Sequence, residues 1–239
     1  MTESQLAGLT LDTTIVQMLL TPRHFLIQEI GPNRFRLWGP LYAERDFQAA
    51  TLDELANDIQ MRINRAAGDG EPAVLDTNVL LHYQRPDNVL WPEVLGRAHV
   101  RLVVPLRVVE ELDEKKYGRS DRLASIARDV LPWLEEAILR KAGKIRDDTT
   151  IEVPIDPTRR VRPENADREI IDECHEFREF GGQRATLVTG DTAMRLRAHA
   201  EAIPTAAMPD ECLRRRPTPP DEPIDREAHL SQAHPPKTP

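Results

Sequence analysis

The chain has 239 residues, 40% of them hydrophobic, and a formal net charge of −8 at pH 7. This size allows one full domain core with room for a smaller unit, and the two cysteines provide neither a disulfide framework nor a zinc signature. No apolar run approaches the roughly 18 residues of a membrane span, and no charged start followed by an apolar stretch indicates a signal peptide, so we expect a cytoplasmic protein without a membrane partner.

Residues 1–70 are predicted to form a small α+β unit. Residues 24–38 alternate in hydrophobicity around a Gly-Pro-Asn turn, which predicts a β-hairpin. Thr51 and Glu54 have the spacing of a capping box, which predicts a helix that opens there and continues through about residue 64. Because so short a unit has little core of its own, we favour its docking on the rest of the chain.

The segment AVLDTNVL at residues 73–80 predicts a buried strand that ends in an acid. Ala73 to Leu75 are typical of a parallel strand, and they deliver Asp76 to the carboxyl end, where open α/β sheets bind ligands. Thr77 and Asn78 follow at the start of a helix, so a carboxylate, a hydroxyl and an amide come together where a divalent cation could be held. Asp76 alone could equally be a helix cap.

A second strand and helix follow in VRLVVPLRVVEELDEKK, residues 100–116. Pro105 opens the predicted helix, whose core-facing positions are Val108, Val109 and Leu112. At about 100° per residue, Glu110 and Glu114 point away from this apolar stripe, while Glu111 and Asp113 flank it. Glu111 is therefore the better candidate for a cleft. Residues 121–142 then predict a long amphipathic helical region interrupted at Pro132.

A third acid lies in ENADREIIDECHEF, residues 164–177. Asp167 falls on the same helical stripe as Ile170, Ile171 and Cys174, whereas Asp172 faces the other side. A carboxylate on a buried face requires pairing, hydrogen bonds or a cation. An acid favoured by the positive end of the helix explains Asp167 equally well.

The last acid lies in ATLVTGDTAMRLRA, residues 185–198, which repeats the arrangement around Asp76. Thr186 to Thr189 predict a short strand, and Asp191 opens the helix that follows Gly190. A capped helix after a glycine turn is the simpler explanation for this acid considered alone.

Taken in order, four segments resemble the motifs of the PIN-domain family of nucleases: VLDTNVLL, VVEELDE, NADREII and LVTGDTAMRL. The positions that match the family's acids are Asp76, Glu111, Asp167 and Asp191, and those that match its amide and hydroxyl residues are Asn78 and Thr189. The resemblance covers about residues 72–208. It implies an α/β fold, a three-layer α/β/α domain with a central parallel sheet, which we place at residues 71–212.

The resemblance also implies a Mg²⁺- or Mn²⁺-dependent endoribonuclease that leaves a 5′-phosphate and a 3′-hydroxyl. Asp76 and Asp191 would bind the metal directly, and Glu111 and Asp167 would complete the site directly or through water. Asn78 and Thr189 would orient these ligands. A cluster of carboxylates suits such hard cations, of which one or two could be bound.

RNA, single-stranded or structured, is the expected partner, although a net charge of −8 opposes broad electrostatic capture of nucleic acid. Basic residues are grouped locally, and those chosen as candidates for RNA contacts are Lys115, Lys116, Arg119 and Arg195. Each group could also be a solvated helix face. The N-terminal unit could help to hold RNA, and a homodimer and a protein inhibitor are further possible partners.

Residues 213–239 are rich in proline and poor in apolar residues, which predicts a disordered tail. Among other functions, a phosphatase of the haloacid dehalogenase type would require a second acid where this chain has Asn78. The P-loop of nucleotide hydrolases is absent. A catalytically silent PIN-like RNA-binding or scaffold protein and the toxin of a toxin–antitoxin pair remain the alternatives.

Overall fold

The computed structural model describes residues 38–155, 165–182 and 185–214. Five parallel strands form its central sheet in the order β3-β2-β1-β4-β5. They are β1 Glu71–Leu75, β2 Val100–Val103, β3 Thr149–Glu152, β4 Thr186–Val188 and β5 Thr205–Ala206. Helices flank the sheet, which confirms the predicted three-layer α/β/α architecture. The predicted hairpin at residues 24–38 lies outside the described residues except for its last residue, which begins the first described helix.

Seven α-helices lie in the described part of the chain, together with 3₁₀ turns at Pro86–Asn88 and Asp210–Cys212. They are α1 Trp38–Ala66, α2 Thr77–His82, α3 Trp91–Leu95, α4 Leu106–Lys116, α5 Asp121–Lys141, α6 Ala166–Gly181 and α7 Thr192–Ala200. None of these helices is long and apolar enough to cross a membrane.

The core lies on both faces of the sheet. Strands β2 and β4 are buried along their whole length, as parallel strands covered by helices must be. Among the largest buried side chains are Trp91 and Phe177, and the indole N–H of Trp91 donates to the carbonyl of Pro86 at 2.9 Å. The polar end of this buried aromatic is thus satisfied.

Helix α1 is longer than the sequence predicted and does not begin at Thr51. Instead of capping, the Thr51 hydroxyl donates to the carbonyl of Phe47 at 2.9 Å, a bond that a threonine can make inside a helix. The last turns of α1 pack on α6, where Arg62 lies 2.9 Å from Asp58 and 3.4 Å from Glu176. Through this contact, α1 docks on the core.

Helix α5 continues through Pro132, so the predicted interruption is wrong. The proline lies on the exposed face of α5, where water can take the place of the missing backbone hydrogen bond. The opposite face carries Ala127, Val130 and Leu134 into the core. The loss of this one hydrogen bond is therefore offset by packing along the rest of the helix.

The last described residues turn back onto the loop after α2. Leu213 forms an antiparallel bridge with Tyr83, and the backbone N–H of Arg214 donates to the carbonyl of His82 at 3.0 Å. The N–H of Gln84 donates to the carbonyl of Cys212 at 2.7 Å. Leu213 and Arg214, which the sequence assigned to the tail, thus lie against the domain. We call residues 208–214 the C-terminal strap.

Candidate active site

Pairing between β1 and β4 brings Asp76 and Thr189 together. Leu75 is in register with Val188, so the next residue of each strand emerges at the same carboxyl edge of the sheet. The Thr189 hydroxyl donates to Asp76 Oδ2 at 2.7 Å, and Asn78 Nδ2 donates to the same oxygen at 3.4 Å. The two residues predicted to orient the first acid thus both contact it.

Asp76 is a buried carboxylate with only one of its oxygens engaged. It occupies the position before α2, yet its side chain makes no capping hydrogen bond. Within the described residues, Oδ1 receives no hydrogen bond and neither oxygen pairs with lysine or arginine. The residue is only 6% exposed. A buried anion with so few partners is costly, and a cation at Oδ1 would offset that cost.

Asp191 occupies the equivalent position before α7 and does cap its helix. Its Oδ1 accepts from the backbone N–H groups of Ala193 at 2.6 Å and Met194 at 3.3 Å. Its own backbone N–H donates to the Thr189 hydroxyl at 3.0 Å. Thr189 therefore connects Asp191 to Asp76, and Oδ2 of Asp191 has no donor among the described residues.

Glu111 reaches the same edge through Thr77, the residue after Asp76. The Thr77 hydroxyl donates to Glu111 Oε2 at 2.6 Å, and Arg107 Nε lies 3.7 Å from Oε1. Asp113, the other acid that flanks the apolar stripe of α4, is exposed and pairs instead with Lys116. The helical position that favoured Glu111 thus faces α2. The contact between Glu111 and Thr77 was not predicted, and its only signal in the sequence is a hydroxyl residue directly after Asp76.

Asp167 lies in the first turn of α6 and forms an ion pair with Arg197 of α7. Its backbone N–H donates to the side chain of Asn165, which caps the helix. No hydrogen bond connects Asp167 to the other three acids in the described part of the chain. Nowhere in that part do three or more His, Cys, Asp or Glu side chains form a group that could hold a metal ion. Convergence of all four predicted acids on one ion therefore stays a prediction.

A groove of about 550 Å³ opens beside Asp191. Its walls come from α2 and the loop after it, the start of α5, the turn before α7 and the C-terminal strap. The lining residues are Asn78, His82, Tyr83, Arg122, Gly190, Asp191, Leu213 and Arg214. The groove thus combines the acid and amide of the candidate site with two arginines.

The four basic residues predicted to contact RNA lie outside the lining of this groove. Lys116 pairs with Asp113 at 3.4 Å, and Arg195 donates to the Thr192 hydroxyl at 3.1 Å. Lys115 is half-buried and Arg119 is exposed. The arginines that do line the groove are Arg122 and Arg214, and Arg214 arrives there only because the strap folds back.

A match to a family model agrees with this fold. The family model described as PIN domain matches residues 73–208. A solved structure, a domain of a functionally unknown protein from Methanocaldococcus jannaschii DSM 2661, is similar at 18% sequence identity with a TM-score of 0.39. The match covers 59% of this chain and 92% of that one. No curated protein matches the sequence.

Proposed function

The chain belongs to the PIN-domain family, whose members are generally nucleases, and from this premise we propose that it is a Mg²⁺- or Mn²⁺-dependent endoribonuclease. The observation that carries the proposal is the connection of Asp76 and Asp191 through Thr189 at the edge of a groove. Each acid has one oxygen engaged by protein donors and the other open. Two such oxygens suit the hard cations that PIN domains typically use.

In this proposal Asp76 and Asp191 bind the metal ion, and Glu111 and Asp167 complete the site directly or through water. A divalent ion at this position would neutralise charge on the phosphate and lower the pKa of water. Thr189 and Asn78 both donate to Oδ2 of Asp76, which fixes the carboxylate and leaves Oδ1 open to a ligand. Fixing ligands in this way reduces the reorganisation that binding would otherwise require.

The proposed reaction is hydrolysis at an internal phosphodiester. Water adds to phosphorus, the bond from phosphorus to the 3′ oxygen breaks, and the departing oxygen takes a proton. The products are a 5′-phosphate and a 3′-hydroxyl. The substrate we propose is cytoplasmic RNA, and both cysteines of the chain are free, as is usual in that reducing compartment.

Cleavage of end-labelled single-stranded RNA tests the proposal. The purified protein and an Asp191→Asn variant are compared in Mn²⁺ and in chelator. Asparagine caps helices as well as aspartate does, so this change removes the charge and keeps the cap. Asp113→Asn, an exposed acid of α4, is the matched control.

We expect internal cuts by the wild type and the Asp113→Asn control in Mn²⁺ only. The Asp191→Asn variant should be slower by more than about 100-fold, beyond the effect of losing a residue that merely orients a ligand. Cutting that persists in chelator, or in Asp191→Asn at the wild-type rate, would refute the proposal.

A second candidate function is a catalytically silent PIN-like RNA-binding protein. It is favoured by the engagement of two of the four acids, Asp167 by Arg197 and Glu111 by Thr77. This alternative predicts RNA binding without cleavage. RNA that the wild type binds in chelator but leaves uncut in Mn²⁺ would therefore favour the second function over the first.

A further inference from the structure

Three arginines from separate parts of the chain meet beside the groove. Arg85 follows α2, Arg122 lies in the first turn of α5, and Arg214 belongs to the C-terminal strap. Arg85 is already engaged by Asp87, with its Nε 2.8 Å from Oδ1 and its NH2 3.0 Å from Oδ2. The other two line the groove, so they are the cations available to a ligand there.

Arg214 is held by its backbone while its guanidinium has few partners. Its NH1 lies 3.8 Å from Asp129, its NH2 donates to the carbonyl of Leu80 at 3.5 Å, and its buried Nε has no hydrogen-bond partner. Burial lowers the pKa of Arg214, Asp129 raises it, and the neighbouring cations Arg85 and Arg122 lower it again. A cation in such surroundings gains free energy from an additional anion.

Arg122 is exposed, and within the described residues it makes no ion pair or hydrogen bond. Arg122 and Arg214 both line the groove, and their positive charges are close enough to repel each other. Asp129, the acid between Arg85 and Arg214, is half exposed and 3.6 Å or more from either guanidinium. The positive charge of this cluster is therefore only partly neutralised.

We propose that Arg122 and Arg214 together bind a backbone phosphate of the nucleic acid in this groove. The planar guanidinium matches the geometry of phosphate oxygens. Asp191 lines the same groove, so a strand anchored at the two arginines would pass the candidate metal ligands. The identity of the ligand as nucleic acid rests on the proposed function, whereas the site itself rests on the geometry of the arginines.

The test is the salt dependence of RNA binding, measured without cleavage. Fluorescence anisotropy of a fluorescein-labelled single-stranded RNA is followed in chelator over a series of salt concentrations. The full-length wild type is compared with Arg122→Gln, Arg214→Gln, Arg214→Lys and the double variant that combines Arg122→Gln with Arg214→Gln. Arg140→Gln is the matched control, because Arg140 is an exposed arginine in the last turn of the same helix α5.

Each phosphate contact to a single strand contributes about 0.7 to the slope of log affinity against log salt. We expect Arg122→Gln and Arg214→Gln each to weaken binding and to reduce the slope, and the double variant to reduce it by up to about 0.7, since both contact one phosphate. Arg214→Lys should keep the slope, and Arg140→Gln should match the wild type.

Wild-type affinity and slope in Arg122→Gln would overturn the proposal, and this exposed residue can be changed without disturbing the fold. Loss of binding in Arg214→Gln and Arg214→Lys alike, with a lowered melting temperature, would assign Arg214 to the fold and overturn its role. Because the measurement needs neither metal nor cleavage, failure of the nuclease proposal would leave this result readable.

Discussion

The hydroxyl of Thr189 donates a hydrogen bond to Asp76 Oδ2 at 2.7 Å across the pairing of two strands. The oxygen of that Thr189 hydroxyl in turn accepts a hydrogen bond from the backbone N–H of Asp191 at 3.0 Å. A hydroxyl has one proton, so donation to Asp76 fixes its orientation and directs a lone pair towards Asp191. Thr189 is fully buried, and water cannot replace either bond. One side chain therefore sets the relative position of the two candidate metal ligands.

Thr189→Val should damage both stability and function. Valine has the same shape but leaves the Asp76 carboxylate and the Asp191 N–H without this partner. We expect the free energy of unfolding, measured in urea, to be about 1–3 kcal/mol lower than in the wild type. Cleavage of RNA in Mn²⁺ should be about 10–100-fold slower. Thr189→Ser keeps the hydroxyl and is the matched control. Equal behaviour of the valine and serine variants would show that the hydroxyl has no such role.

Two substitutions of Asp191 should separate its role as a helix cap from its proposed role as a metal ligand. Asp191→Ala loses the hydrogen bonds to the N–H groups of Ala193 and Met194, so we expect it to be about 1 kcal/mol less stable. Asp191→Asn should retain wild-type stability, because the amide oxygen also caps. Both should lose cleavage. Urea denaturation of the two variants measures the difference, and equal destabilisation would contradict the capping geometry.

The places of several candidate site residues in the fold could be predicted from the sequence, because local rules fix them. Asp76 and Asp191 each follow a short apolar strand, and in any open α/β sheet this places them at the carboxyl edge. The helical position of Glu111 similarly determined which side of α4 it occupies. The pairing of β1 with β4, which joins these segments, follows from no local pattern and was not predicted.

Other features depend on contacts between distant residues and could not be predicted locally. The spacing of Thr51 and Glu54 also occurs inside helices, so a capping box could not be told from a helix interior. The ion pair of Asp167 with Arg197 required knowledge of how α6 and α7 lie together. Arg214 reaches the groove only through the fold-back of the strap, in a stretch whose composition indicated disorder.

The ion pair between Arg197 and Asp167 should weaken metal binding, if Asp167 belongs to the metal site. Both side chains are about half exposed, so the ion pair itself contributes little stability. Arg197→Gln releases Asp167 and removes a nearby positive charge, and we expect Mn²⁺ to bind about fivefold more tightly, the equivalent of about 1 kcal/mol in a high dielectric. Calorimetric titration with Mn²⁺ measures this, with Arg140→Gln as the control.

Asp167→Asn is the converse change and should weaken Mn²⁺ binding. No change in affinity in either Arg197→Gln or Asp167→Asn would assign Asp167 to the contact between α6 and α7 alone.

Glu152 should make stability depend on pH. Burial raises its pKa, while Arg101, 3.8 Å away, acts in the opposite direction. A carboxyl whose pKa is higher in the folded state contributes stability below its ordinary pKa of about 4.3 and loses that contribution as pH rises through the folded value. Glu152→Gln should therefore become more stable relative to the wild type as pH rises across that window.

Urea denaturation at several pH values measures this difference, and Glu135→Gln, on the exposed face of α5, is the matched control for removing a carboxyl. A stability difference between Glu152→Gln and the wild type that is independent of pH would contradict the burial argument.

Asp76 and Asp191 are proposed to bind a divalent ion at the edge of the groove. The most direct test is a crystal structure of the protein with Mn²⁺, located by its anomalous scattering. We predict a peak within bonding distance of Asp76 Oδ1 and Asp191 Oδ2, with the hydrogen bond from Thr189 to Asp76 Oδ2 intact. An ion bound elsewhere, or no ion at these oxygens at saturating Mn²⁺, would show that Asp76 and Asp191 are not the metal ligands.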